Sequence, residues 1–275
     1  MTGRDVMKGR VLLIRPPTVM KGTSFIATQF PLNLASIAAS LVRAGHDVKI
    51  RDFDVENFEP DAFSADLKAF SPDVIGISCY TPTVINGHKI ATFAKKCLPD
   101  VPVIVGGPHV SALPEETLRE FKDFDIGVIG EGEETLGDLV RGIIKKEEIG
   151  GIPGIINRTK DGSLKRTGKR QPIKDLDALP LPARDLLRRD LYKGQSHRGF
   201  SRSFLKITEI MTSRGCPNRC IFCASGVVMD GGVRFRSARS VTEEIGECVE
   251  KYGFNHITIS DATFTMKEDR LDEIC

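Results

Sequence analysis

Val101-Pro102-Val103-Ile104-Val105-Gly106-Gly107-Pro108-His109 sets a β-branched run directly before a pair of glycines. Such a run reads as a buried strand, and the glycines end it with backbone that no Cβ obstructs. Working outward, strands are predicted over residues 10–15, 47–52, 74–78, 101–105 and 125–129. Helical patterns fill the intervals at residues 32–44, 84–97, 115–121 and 134–145. Short strands alternating with longer helices define an α/β domain whose parallel sheet is covered by helices. Five strands with four helices match a flavodoxin-like doubly wound sheet, predicted here over residues 1–146.

In a doubly wound sheet a ligand sits outside the carboxyl ends of the strands, near the point where the strand order reverses. That rule selects the loops at residues 16–25, 79–83, 106–111 and 130–133. The candidate contacts on and beside them are Thr18, Ser78, Tyr80, Thr81, Gly106, Gly107, His109, Gly130, Glu131 and Gly132. Gly106-Gly107 and Gly130-Glu131-Gly132 leave room for a flat or bulky ligand. For a glycine pair alone, a tight turn with no ligand is the default reading.

Residues 147–205 shift to Gly, Pro and charge. Asp161-Gly162 between short extended runs predicts a hairpin. Leu179-Pro180-Leu181-Pro182 reads as a stiff linker, because each proline pushes its predecessor into an extended conformation. Residues 158–170 hold six basic residues against one acidic. No aromatic residues interleave for base stacking, so a solvated hairpin is expected, with an anionic partner as the alternative and nucleic acid disfavoured.

From residue 206 the pattern becomes strand (206–212), loop, helix (241–252) and strand (255–260). Ser240-Val241-Thr242-Glu243 fits a capping box at the helix start. This is the opening of a β/α barrel. A complete eight-unit barrel takes on the order of 250 residues, so residues 206–275 are expected to supply only its first part.

The loop within that unit is Arg214-Gly215-Cys216-Pro217-Asn218-Arg219-Cys220-Ile221-Phe222-Cys223. Three thiolates this close can ligate three irons of a cubane cluster and leave the fourth iron open to a substrate. A closed structural zinc site needs four ligands, and no second Cys-x-x-Cys or nearby Cys-x-x-His is present. The other cysteines, Cys79, Cys97, Cys248 and Cys275, are scattered and suit buried small apolar roles.

The totals agree with an ordinary soluble globular protein and select no partner. The chain has 275 residues, 40% hydrophobic and 28% charged, with 39 basic against 37 acidic side chains and a net charge of +2. That balance creates no overall field for nucleic acid or an anionic membrane. No apolar run approaches the roughly 20 residues that span a bilayer, and residues 1–10 are polar and unlike a signal sequence. The cytoplasm is the expected location, where seven cysteines serve metal or redox chemistry rather than disulfides.

Cys216, Cys220, Phe222 and Cys223 resemble the Cys-x-x-x-Cys-x-aromatic-Cys motif of the radical S-adenosylmethionine superfamily. The resemblance implies a 4Fe-4S cluster on the three cysteines, with S-adenosylmethionine chelating the open iron and Phe222 near its adenine. Electron transfer then yields methionine and a 5'-deoxyadenosyl radical, fed by a donor such as flavodoxin or ferredoxin. The preceding doubly wound domain, with Gly106-Gly107-Pro108-His109 and Gly130-Glu131-Gly132-Glu133-Glu134, is similar to the cobalamin-binding branch of that superfamily. The branch includes methyltransferases and magnesium-protoporphyrin ester cyclases, acting on a small-molecule substrate.

Two features depart from this pattern. None of the five histidines has an Asp two residues before it, so the Asp-x-His-x-x-Gly signature of histidine-ligated corrinoids is absent. Cobalamin without a lower histidine ligand is implied, and His109 stands either near the corrin edge or as a ligand. At Ser260-Asp261-Ala262 the branch more often has two acids; Asp261 remains a candidate for the amino group of S-adenosylmethionine. The competing readings are a truncated corrinoid-binding fragment without catalysis and a methylthiolating radical enzyme. The latter brings extra cluster cysteines, for which only Cys79 and Cys97 are at hand.

Overall fold

The computed structural model describes residues 8–19, 29–159, 161–192, 205–229 and 232–275. The predicted ligand loop beyond Val19, Lys160 of the basic run and the end of the linker lie outside the described residues. The first region runs β1 (Arg10–Arg15), α1 (Leu32–Arg43), β2 (Asp47–Asp52), α2 (Pro60–Phe70), β3 (Val74–Ser78), α3 (Val84–Cys97), β4 (Val103–Gly106), α4 (Pro108–Ala112), α5 (Pro114–Glu120), β5 (Ile126–Val128) and α6 (Gly132–Lys145). β6 (Ile155–Arg158) and β7 (Leu164–Arg166) follow. All seven strands form one sheet of order β2-β1-β3-β4-β5-β6-β7, parallel through β5 and antiparallel thereafter.

The order reverses between β1 and β3, so the loops leaving those strands diverge and open a crevice. β1 explains the depth of the core. Val11 and Leu13 face a cluster with α1 and α6, while Leu12 and Ile14 face one with α2 and α3. The strand is therefore apolar throughout rather than alternating, as expected when helices cover both faces.

Several boundaries moved for identifiable reasons. β4 starts at Val103 because Pro102 has no N–H for the ladder. α2 escaped prediction because its buried stripe is only Phe63 and Leu67, behind Pro60 at the helix start. α4 was also not expected. The hairpin at Asp161-Gly162 forms as predicted, with Gly162 at φ 84°, and it continues the main sheet beyond residue 146.

The second region contains β8 (Ile207–Ile210), β9 (Ser213–Arg214), α7 (Ser225–Val228), β10 (Arg234–Phe235), α8 (Ala238–Gly246), β11 (His256–Ile259) and α9 (Glu268–Ile274). β8 and β11 pair in parallel, β9 and β10 antiparallel. A π-helical turn at Glu247–Lys251 extends α8 toward β11. The predicted capping box is corrected: α8 begins three residues earlier, and Ser237 caps it by accepting the Ser240 N–H at 3.1 Å. Ile210, Val241, Cys248 and Phe254 join the same apolar cluster as α1 and α6, so the regions share a core. Among the described residues no helix is long and apolar enough to cross a membrane.

Candidate functional site

A cavity of about 280 Å³ opens where the carboxyl ends of β3, β4 and β5 meet the second region. Leu13, Ile77, Ile104 and Val128 of the sheet line it, with Leu34, Ile37 and Leu136 of the flanking helices. Leu176, Leu179, Pro180, Leu181 and Pro182 form another wall, and Met211, Arg214, Arg236 and Glu244 complete it. The proline-rich segment is thus part of the cavity wall as well as a connection. The Ala183 N–H fixes it by donating to the Ala35 carbonyl of α1 at 3.0 Å.

Of the ten predicted contacts, Ser78, Tyr80, Gly106, Gly107, Gly130, Glu131 and Gly132 line this cavity. Ser78 Oγ accepts Asn33 Nδ2 at 2.8 Å, and Tyr80 is half exposed. Gly107 has φ 100°, and a Cβ there would lie 2.7 Å from the Cys79 carbonyl oxygen, so close backbone packing requires that glycine. Gly130 has φ 81° with open space where a Cβ would be.

Thr18, Thr81 and His109 are placed elsewhere. The Thr18 N–H donates to Asp54 Oδ1 at 3.0 Å. Thr81 Oγ1 and His109 Nδ1 are 3.1 Å apart, with the imidazole buried. Burial lowers the His109 pKa against the raising influence of Glu120, which keeps the ring neutral at pH 7. Cys79 is fully buried, and burial pushes its thiol up to about 12. Cys97 is half-buried with its Sγ 3.6 Å from Ser64 Oγ.

Glu131 does more than line the cavity. Its Oε2 accepts the Ile173 N–H at 2.8 Å and Arg234 Nη1 at 3.0 Å, while Oε1 lies 3.2 Å from Arg214 Nη1 and 2.9 Å from Arg234 Nη2. Arg214 also reaches Glu133 at 2.6 Å. Burial pushes the Glu131 carboxyl up, but the bonds from Arg234 and Ile173 and the charge of Arg214 outweigh it and leave it below its ordinary value. One carboxylate therefore ties the loop after β5 to the connecting segment, to β9 and to β10.

Arg214 ends β9, two residues before Cys216. Cys216 is half-buried; Cys220 and Cys223 are exposed, and all three are free thiols. The Asn218 N–H and the Thr263 hydroxyl lower the Cys216 pKa, and the Ser225 hydroxyl and N–H lower that of Cys223. Thiolate is the form that ligates iron, so this donor set fits a cluster held by three cysteines. Among the described residues no three His, Cys, Asp or Glu side chains are already gathered as a metal site. Phe222 is 89% exposed and Ile221 fully so, which leaves the loop tip unsupported by packing.

Asp261 accepts the Thr212 N–H at 2.6 Å, the Thr212 hydroxyl, and the Ser213 hydroxyl at 2.7 Å. It fastens the end of β11 to the segment that enters the cysteine loop. Behind the cavity, Arg184 and Glu244 are both 0% exposed and joined at 2.5 Å. Arg184 also donates to Thr208 Oγ1 at 3.2 Å and to the Glu209 carbonyl at 2.7 Å, and Arg236 binds the second oxygen of Glu244. Sequence reading missed Arg184, Arg236 and Glu244, because each falls in a stretch of ordinary charged composition and the partners are far apart in the chain.

A doubly wound sheet with an apolar crevice, joined to the opening strands of a β/α barrel that carry three clustered cysteines, defines a two-cofactor class of protein. Residues 23–140 match the B12 binding domain and residues 210–275 match the radical SAM superfamily. The chain thus carries a match to a B12 binding domain ahead of a match to a radical SAM domain.

It is 35% identical over 266 residues to an uncharacterised methyltransferase of Pyrococcus horikoshii, covering 96% of this chain and 56% of that protein. It is 25% identical over 272 residues to an anaerobic magnesium-protoporphyrin IX monomethyl ester cyclase of Rubrivivax gelatinosus, covering 97% and 47%. The chain spans about half the length of these curated relatives. Its fold resembles that of the radical S-adenosylmethionine methyltransferase TsrM of Kitasatospora setae, solved with cobalamin and a 4Fe-4S cluster bound. The TM-score is 0.71 at 22% identity, over 98% of this chain and 50% of that one.

Proposed function

We propose that this chain supplies the corrinoid-binding and cluster-binding parts of a cobalamin-dependent radical S-adenosylmethionine enzyme that methylates an unreactive carbon of a small molecule. The observation that carries the reading is the Glu131 junction. It joins the cavity-lining loop after β5 to Arg214 at the base of the three-cysteine loop, so the two cofactor regions adjoin within one chain.

Cys216, Cys220 and Cys223 would hold the cluster, and the cavity lined by Ser78, Tyr80, Gly106, Gly107, Gly130, Glu131 and Gly132 would hold cobalamin. When bound, the cluster supplies the electron that cleaves S-adenosylmethionine and the corrinoid supplies the methyl group. The chain's own residues bind, orient and exclude water. The leucine and isoleucine lining offers cobalamin a low-dielectric crevice, and the open space beside Gly130 admits a bulky ring. The buried His109 lies 3.1 Å from Thr81 Oγ1 and does not line the cavity that would hold cobalamin. Asp261 orders the entry to the cysteine loop through Thr212 and Ser213. Phe222, exposed at the loop tip, is free to cover an adenine. The electron donor is proposed to be a small redox protein such as flavodoxin or ferredoxin, acting in the cytoplasm.

The test is anaerobic reconstitution with iron, sulfide and hydroxocobalamin, followed by reduction with S-adenosylmethionine present. Formation of 5'-deoxyadenosine supports the enzyme reading. Corrinoid retention without it leaves a binding module, and failure to retain either cofactor overturns the proposal. Similarity to the ester cyclase favours one second reading, a cyclase outcome from the same two domains. Product analysis with the substrate present separates methyl transfer from ring formation.

A further inference from the structure

A second cavity of about 280 Å³ adjoins the first, sharing Gly130, Glu131 and Val228 with it. Its chemistry is opposite. Arg166, Lys169, Arg170 and Arg234 line it, with Glu131 and Glu134 as the acids in that lining. Three of the four cations come from the basic run of residues 158–170. Arg158, by contrast, is used up holding the hairpin to the Leu118 carbonyl.

The carboxylates around this cavity are already engaged. Arg170 spends Nη1 on Glu134 at 3.2 Å and Nη2 on Asp138; Arg234 bonds Glu131 and the Ile173 carbonyl through Nη1, and its Nη2 meets Glu131 at 2.9 Å as an ion pair without hydrogen-bond geometry. Each of these two guanidinium groups keeps a buried Nε without a hydrogen-bond partner. A buried donor left unmet is destabilising. Both arginines line the same hollow, whose four cations outnumber its two carboxylates, and the planar guanidinium donor set matches the oxygens of phosphate.

We propose that the second cavity is a phosphate-binding subsite. The oxyanion is either the phosphodiester of the nucleotide tail of a cobalamin seated in the adjoining cavity, which rests on the corrinoid reading above, or the phosphate of a separate ligand. The first source makes the subsite a selector for complete cobalamin over a corrin without its tail.

The experiment uses the full chain and three probes: inorganic phosphate, hydroxocobalamin, and cobinamide, which keeps the corrin but lacks the nucleotide tail. Calorimetric titration should show saturable phosphate binding, weakened by about tenfold, or 1.4 kcal/mol, in R170Q. R166Q should weaken it too. Arg166 is half exposed in its pair with Glu115, so that variant tests the subsite where loss of Arg170 disturbs folding.

If the tail is the source, cobalamin binds more tightly than cobinamide, phosphate competes with cobalamin alone, and R170Q narrows the gap. Phosphate binding that persists with cobalamin in place assigns the subsite to a separate phosphorylated ligand. The proposal is overturned if phosphate fails to bind saturably and cobalamin shows no advantage over cobinamide, or if both substitutions leave binding unchanged. A chain that binds no corrinoid refutes the proposed function, while the phosphate arm still decides this cavity.

Discussion

The cavity and the cysteine loop sit on either side of the Glu131 junction, and they differ in how far the polypeptide alone completes them. Much of the cavity wall is strand ends and helices with buried side chains such as Leu13, Leu34 and Ile77, and polar groups of its lining are bonded within the chain, as Ser78 is by Asn33 and Glu131 by two arginines. The cysteine loop has two exposed thiols and two exposed large apolar side chains at its tip. Packing organises the first. The second has no buried surface to converge three thiolates, so ligation itself must supply that free energy, as metal binding does wherever site formation is coupled to it.

The largest expected effect breaks the two regions apart. C220A should abolish the visible absorption and bound iron acquired on anaerobic reconstitution while leaving hydroxocobalamin affinity unchanged, since Cys220 does not line the cavity. Parallel loss of corrinoid binding would show that the cavity is not complete without the loop.

E244Q comes next. It leaves Arg184 and Arg236 facing a neutral amide in a site where Arg184 is wholly buried, and breaking a buried pair costs about 3–5 kcal/mol. Chemical denaturation checks this, and a cost under 1 kcal/mol would mean that the interior solvates those guanidinium groups in some other way.

E131Q tests the junction, with an expected loss of about 2 kcal/mol from charge-assisted bonds to Arg214 and Arg234. The folded carboxyl lies below its ordinary value of 4.5. Its contribution is therefore fully present above pH 4.5 and is lost as the pH falls through the depressed folded value. Thermal melts should show a gap between wild type and E131Q that is constant near neutrality and closes in acid. A gap that widens in acid would reverse the assignment.

The smallest effect is expected at the loop tip. F222A should alter the stability of the cluster-free chain by no more than about 0.5 kcal/mol, because Phe222 is almost wholly exposed. A larger loss would show that the tip packs against the protein in solution.

The five parallel strands were legible because each is a short β-branched run bounded by turn residues, and the hairpin because Asp161-Gly162 suits its turn. α2 was not, since two buried residues make too thin a stripe to register as a period. The capping site was misread for a physical reason: Ser240 and Glu243 have the right spacing, but Ser237 lies three residues earlier and its hydroxyl takes the Ser240 N–H. Of the loop residues selected by the rule that ligands gather at strand ends, seven line the first cavity. Thr81 and His109 obey the same rule and yet bond each other, a pairing that no spacing in the chain reveals.

Sequence alone determined the classes of chemistry this protein can hold. Cys216, Cys220 and Cys223 are close enough along the chain for local geometry to bring them to one cluster, and the alternation of apolar runs suffices to specify a doubly wound sheet. Tertiary structure alone decided what joins these parts. The bond from Arg214 to Glu131, the Arg184–Glu244 pair and the unpartnered guanidinium nitrogens of the second cavity depend on segments that folding brings together from distant positions. Burial then decides their chemistry, because a charge removed from water must find a partner in the fold or a ligand that supplies one.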